Sequence, residues 1–187
     1  MENFLQKDKE FLVFLNNIGS EQWDSFWLFI TNQFNWIPLF IFIFYLVIKK
    51  FGWKKGSIVM LTLIVLVTFS DQFTNLIKDT IQRLRPNNDP AISNSLRKLI
   101  HPQGYSFISG HATTSTFFIM YIVLLLRKTY AYIWLLFLFP LIFAYSRLYL
   151  GVHFPVDIVC GIFMGIILGN LYYLLIKKIA AKKLFID

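Results

Sequence analysis

SIVMLTLIVLVTFSDQFTNLIKD, residues 57–79, decides how this chain is read. Its first fourteen positions carry no charge, and the whole stretch has the length of a helix that crosses a hydrocarbon core, roughly 17 to 25 residues. The last two turns become polar, with Ser70, Asp71, Asn75 and Lys78. Asp71, Asn75 and Lys78 are spaced four and then three apart, so they share one helical face. Ionisable groups facing lipid are costly, so that face is expected to look into a bundle.

Working outward, further apolar runs at 36–48, 109–126, 130–149 and 155–176 read as spans, with Pro140 expected to kink the fourth. Thr31, Asn32, Gln33 and Asn35 interrupt the apolar character before the first run, which leaves open an extra crossing at 23–30. Residues 1–16 space Phe4, Leu5, Phe11, Leu12, Phe14 and Leu15 three to four apart among charges, as in an amphipathic helix lying in the interface. The longest connection, 80–105, is polar and holds Pro86, Pro90 and Pro102. The expected fold is all-α: one integral-membrane domain over 1–187, a polytopic bundle of five to six transmembrane helices with an N-terminal interfacial segment at 1–20.

Composition agrees with that class. Of 187 residues, 57% are hydrophobic and only 15% charged, at a mean hydropathy of +0.59. The net charge of +8 raises nucleic acid as a partner, but the cations gather at helix ends instead of along one polar surface, so none is expected. No cleaved leader is expected either, because the N-terminal segment lacks a basic start followed by an apolar stretch and a cleavage site. The lone Cys160 permits no intrachain disulfide or thiolate zinc cage and is assigned to core packing. Five spans place the two chain ends on opposite sides. Lys49, Lys50, Lys54, Lys55, Arg127, Lys128, Lys177, Lys178, Lys182 and Lys183 then share one side, which the positive-inside rule assigns to the cytoplasm. The other side, with the polar loop, becomes the outer face.

Three elements at that outer face carry chemistry. Lys78-Asp-Thr-Ile-Gln-Arg-Leu-Arg85-Pro86 presents an ammonium and then a guanidinium before a proline expected to end the helix, although basic residues there also serve as membrane anchors. Ser109-Gly110-His111 opens the third span with an N-cap serine, a glycine that lets an anion approach the backbone, and a histidine at the positive end of the helix dipole. In Ser146-Arg147-Leu-Tyr-Leu-Gly-Val-His153-Phe-Pro-Val-Asp157, Pro155 starts the fifth span and puts Asp157 in its first turn, able to reach back to His153. A carboxylate on one ring nitrogen fixes the tautomer and frees the other to attack phosphorus. Gly161, Gly165 and Gly169 recur every fourth residue, a stripe for close helix packing.

In this order and spacing, Lys-x6-Arg-Pro, Ser-Gly-His and Ser-Arg-x5-His-x3-Asp resemble the three signatures of the type 2 phosphatidic acid phosphatase family, which also includes vanadium haloperoxidases. Ile108 departs from it, since the family usually has proline before Ser-Gly-His. The resemblance implies a hydrolase in which His153 is the nucleophile forming a phosphohistidine, Asp157 its partner and His111 the acid that protonates the departing oxygen. It implies that Lys78, Arg85 and Arg147, with Ser109 and the Gly110 N–H, cradle the phosphoryl oxygens, without cofactor or metal.

The expected partner is a membrane lipid phosphate in the plasma membrane's outer leaflet. Undecaprenyl diphosphate is the first candidate, with phosphatidylglycerol phosphate, phosphatidic acid and lipid A phosphates open. Phosphotransfer to a lipid acceptor and a lipid-binding or transport protein are the alternatives. A vanadium haloperoxidase fits poorly, because those relatives are typically soluble. His101 reads as a loop residue, Asp71 as either a partner of a bundle cation or a lining residue, and the five tryptophans as an interfacial belt.

Overall fold

The computed structural model describes residues 2–180; Lys182 and Lys183, counted above, lie outside the described residues. Among the described residues the chain forms six α-helices joined by turns and short 3-10 segments: α1 (Glu2–Asn17), α2 (Glu21–Thr31), α3 (Ile37–Ile81), α4 (Gly110–Leu126), α5 (Leu138–Tyr149) and α6 (Pro155–Ala180).

The long α3 is a hairpin. Gly52 has φ 69° and ψ 173°, a conformation open to glycine, and the chain reverses there. A straight helix would hold Ile48 and Gly56 about 12 Å apart. Instead a Cβ on Gly56 would stand 3.6 Å from the Cα of Ile48, and the rings of Phe44 and Trp53 are 5.8 Å apart. The two arms match the apolar runs at 36–48 and 57–79.

At the centre, α4 buries twelve of its seventeen residues. One core cluster joins Ile43, Val47, Val59 and Leu66 of the hairpin to Phe117, Tyr121 and Ile122 of α4. On the other side α6 presses its glycines into α4: a Cβ on Gly161 would lie 3.0 Å from Ser109 O, and one on Gly165 2.7 Å from Thr113 O. Outward, Phe163, Ile167, Leu171 and Leu174 of α6 are 51–64% exposed. Such an apolar face on a helix already apolar inside suits hydrocarbon, not water. Among the described residues two stretches are long and apolar enough to cross a membrane, Gln33–Asn88, which contains the hairpin, and Pro155–Ile179; Gly110–Leu126 and Ile133–Tyr149 are apolar but shorter.

Several sequence expectations change. The inward stripe of the second α3 arm is Ser70 and Thr74 with half-buried Lys78, while Asp71 and Asn75 are exposed and hydrogen-bond each other at 3.3 Å. A lysine's long stem lets it reach inward from the edge of a stripe, so its position misplaces the face by one residue. Pro140 does not kink a long helix: a 3-10 segment, Ile133–Phe137, leads into α5, and Pro140 falls in the first α turn. At eleven residues α2 spans only about 16 Å, short of a crossing, and it packs Trp27 on Tyr145 and Tyr149 of α5. Cys160 is only half-buried and lines an apolar groove of about 580 Å³ with Phe4, Phe11, Val156 and Val159.

α1 is amphipathic, but its inward stripe is mostly polar: Asp8, Leu12 and Asn16 are buried, while Phe4, Phe11, Phe14 and Ile18 point outward. Asn16 ties it to the body, donating to Tyr149 O at 2.7 Å and accepting from Arg97 N at 2.8 Å. A second core cluster, Leu12, Ile92, Leu96, Ala112, Ala144, Leu148, Phe154 and Ile158, lies beneath this end and supports the site.

Candidate active site

The last turn of α3 supplies Lys78, and the helix ends at Ile81 because Gln82 turns left-handed (φ 54°) and donates its N–H to Lys78 O at 2.8 Å. Pro86, expected to end the helix, instead begins a 3-10 turn. The segment between swings Arg85 into the interior, where Nε donates to the carbonyls of Gln103 and Gly104 and Nη1 to Val152 O, each at 3.2 Å. Three carbonyls in fixed backbone hold the guanidinium in one orientation.

Ser109 caps α4, its Oγ accepting from Ala112 N at 3.4 Å, as its position before the apolar run predicted. Its own N–H donates to Asp157 O at 3.2 Å, which pins the start of α4 to the start of α6. Ile108, in the family's proline position, is buried behind it. A Cβ on Gly110 would lie 3.4 Å from Lys78 Nζ, so the ammonium stands over the first turn of α4. His111, one residue on, is half-buried with its ring 5.0 Å from that of Phe143.

Between α5 and α6 the chain makes a six-residue Schellman turn: Val152 N–H donates to Arg147 O at 3.1 Å and Gly151 N–H to Leu148 O at 2.9 Å, with Gly151 at φ 64°. This turn sets the distance between Arg147, whose Nη1 donates to Thr31 Oγ1 at 2.6 Å, and His153. Pro155 opens α6, and Asp157 reaches back to accept the Phe154 N–H on Oδ2 at 3.0 Å, the reciprocal half of a capping box. The same Oδ2 is 3.5 Å from His153 Nδ1.

His153 is 1% exposed, and its other nitrogen, Nε2, is 3.3 Å from Arg85 Nη1. A guanidinium can only donate, so Nε2 is unprotonated and Nδ1 carries the proton toward Asp157. Burial drives the imidazole down to about 4, against the opposing pull of Asp157, with Arg147 and Arg85 adding to the fall. At neutral pH it is an uncharged base with a free lone pair on Nε2.

All eight residues singled out in the sequence meet at this end of the bundle, and the charges of Arg147, Lys78 and Arg85 converge on His111. His101 stays outside, exposed on the loop. The sequence reading missed Arg83, whose Nη1 reaches Asp157 Oδ1 at 2.7 Å, and Asp8, which takes Arg83 Nη2 on Oδ2 at 2.7 Å. One acid among three in an amphipathic N-terminal segment gives no signal of a partner 75 residues away. Among the described residues no group of three or more His, Cys, Asp or Glu is placed to hold a metal ion.

The comparisons agree with this arrangement. The lipid A 4'-phosphatase of Bacteroides thetaiotaomicron is 32% identical over 179 residues, 94% of this chain and 79% of its own length. The lipid A 4'-phosphatase of Porphyromonas gingivalis is 29% identical over 177 residues, 92% of this chain and 74% of its own. The crystal structure of a transmembrane PAP2-type phosphatidylglycerolphosphate phosphatase from Bacillus subtilis superposes on 100% of this chain and 90% of that one with a TM-score of 0.73, a likeness of fold at 19% identity. The profile of the PAP2 superfamily matches residues 56–180, which span all three elements of the site, and the chain belongs to that family of type 2 phosphatidic acid phosphatases.

Proposed function

We propose that this protein is an integral-membrane phosphatase that removes a phosphomonoester from a lipid, with lipid A 4'-phosphate the first substrate to test. The observation that carries the chemistry is the pairing of His153 Nε2 with Arg85 Nη1 at 3.3 Å while Nδ1 faces Asp157. It leaves a neutral imidazole with its lone pair directed into a cluster of cations.

When a phosphoryl group enters, its oxygens take the N–H that Arg85 Nη1 had given to Nε2, the guanidinium keeping its carbonyls, and Arg147, Lys78, Ser109 and the Gly110 N–H at the start of α4 join it. Nε2 attacks phosphorus and the bond to the lipid oxygen breaks. His111 gives that oxygen its proton, and the lipid leaves as an alcohol. Asp157 stabilises the imidazolium of the phosphohistidine. Water then attacks phosphorus, returns a proton to His111 and breaks the P–N bond, releasing inorganic phosphate. Positioning and fixed positive charge do most of this work, so the reaction needs no added metal.

The topology that supports this is five crossings: the two arms of α3, α4, α5 with its 3-10 lead, and α6. The lysine-rich side, where Lys50 donates to Leu125 O at 2.6 Å, faces the cytoplasm, and the site opens on the outer face of the inner membrane. Undecaprenyl diphosphate, the first expectation from so compact a chain, gives way to lipid A because the two relatives that align with nearly all of it are named for lipid A.

Detergent-purified protein in EDTA, offered lipid A, phosphatidylglycerol phosphate, phosphatidic acid and undecaprenyl diphosphate, should release phosphate fastest from lipid A, and His153→Ala should release none. Activity that survives His153→Ala at the wild-type level sinks the mechanism, and a different ranking reassigns the substrate.

A further inference from the structure

Behind the histidine lies a second layer of charge that the phosphate chemistry does not touch. Asp157 divides its two oxygens: Oδ2 serves His153 and the Phe154 N–H, and Oδ1 is held by Arg83 Nη1 at 2.7 Å. Arg83 lies flat on the Phe154 ring, its guanidinium carbon 3.8 Å from the ring centre, and sends its other nitrogen to Asp8 Oδ2 at 2.7 Å. Asp8 Oδ1 accepts the Val156 N–H at 3.0 Å, in the same first turn of α6 that carries Asp157. Both carboxylates are almost wholly buried, the Asp8 side chain 2% exposed and that of Asp157 0%.

The charges explain why a second acid is present. Arg83 alone on Asp157 would make a neutral pair, and a histidine turning cationic as it bonds to phosphorus would face a carboxylate already satisfied. Asp8 compensates Arg83, so the three groups together keep one negative charge, and Oδ2 of Asp157, 3.5 Å from Nδ1, turns it toward the histidine. The fork of an arginine is needed, because one ammonium does not grip two carboxylates in a plane.

We propose that Arg83 and Asp8 are positioning residues for the catalytic histidine: a relay from the N-terminal helix, Asp8 to Arg83 to Asp157, that holds the carboxylate in place and keeps its charge available to His153. The relay rests on the reading of His153 as nucleophile. It also makes α1, which contributes nothing to the phosphate cradle, a working part of the site.

The test is a set of variants read by kcat, KM and the acid limb of the kcat/KM profile, with thermal unfolding to confirm folding. The groups that act on His153 are Asp157 from α6, Arg85 from the segment after α3, Arg147 from α5 and His111 from α4, with Lys78 beside His111, and none of these is altered. Asp8→Asn should lower kcat roughly tenfold, the scale on which hydrogen-bond partners behind a functional histidine act, with KM unchanged. It should move the acid limb to lower pH, because His153 then faces less negative charge. Arg83→Gln should move the limb the other way. The double variant Asp8→Asn/Arg83→Gln restores the net charge and should bring the limb back toward wild type, and Arg83→Lys should retain the limb while losing part of kcat. Opposite shifts that cancel in the double variant are not produced by a contact that only steadies the fold. If His153→Ala is inactive but these variants share the wild-type limb, or lose kcat only in step with thermal stability, the relay is wrong and the phosphatase reading stands. If His153→Ala is active, that reading itself has failed.

Discussion

Arg85 Nη1 and His153 Nε2 stand 3.3 Å apart, with the arginine's remaining hydrogen bonds given to backbone carbonyls. The guanidinium is therefore held by main chain that does not move with the substrate, and it acts as a fixed gauge for the reactive nitrogen. In the proposed mechanism it also stands beside the position where negative charge grows as the phosphoryl group is transferred.

Arg85→Lys keeps the charge and loses the fork. The ammonium has three N–H donors and cannot hold the three carbonyls and still face Nε2, so kcat/KM should fall on the order of a hundredfold, the loss seen when one donor to a developing oxyanion is removed. Steady-state phosphate release measures it, and a loss under threefold would mean that charge alone suffices.

The proposed nucleophile must be unprotonated, and burial holds His153 at about 4 in the folded protein. The acid limb of kcat/KM, which reports the free enzyme, should thus lie near pH 4 and not at the 6.5 of an ordinary imidazole. The same shift acts on stability. Between pH 6.5 and 4 the unfolded chain takes up a proton at this histidine that the folded chain refuses, so folding weakens as pH falls through that window and holds above it. His153→Gln should flatten this part of the unfolding profile in detergent.

Gly165→Ala places a methyl 2.7 Å from both Thr113 O and Thr116 Cβ, where α4 backbone cannot yield without the whole helix moving. We expect a loss of about 1–3 kcal/mol in unfolding free energy, the usual cost of overpacking. Activity should fall with it, because α4 carries Ser109, Gly110 and His111 at its tip. Gly104→Ala serves as the contrast: it has open space around it but a φ of 77°, so strain stays local to the outer loop.

Asn16→Ala removes the amide that clasps both Tyr149 O and Arg97 N. Leaving those buried groups without partners costs about 1–3 kcal/mol. Limited proteolysis should show α1 released before the bundle opens.

How much of this could be read from sequence follows the range of each interaction. The Ser109 cap, the Pro155 start and the reach of Asp157 to His153 are contacts within four residues, and spacing along one helix is enough to place them. The hairpin at Gly52 was legible as two apolar runs with lysines between. What escaped depends on tertiary context. The inward face of the second α3 arm runs through Ser70 and Thr74, because a hydroxyl costs less to bury than Asp71 and a lysine stem bridges the remaining gap. The end of α3 was set by a left-handed Gln82, a conformation that glutamine does not advertise. Asp8 and Arg83 are neighbours only because α1 folds back onto α6, and no local pattern encodes that return.

The Schellman turn from Arg147 to Val152 has a consequence for how this chain's sequence can vary. Its two crossed hydrogen bonds, Val152 N–H to Arg147 O and Gly151 N–H to Leu148 O, close around one left-handed glycine and span the whole spacer. The segment is therefore a ruler of fixed length between Arg147 and His153, the proposed phosphate-binding cation and nucleophile. Leu148, Tyr149, Leu150 and Val152 are buried along it, so its packing is fixed too, and one residue more or less would break both marks at once.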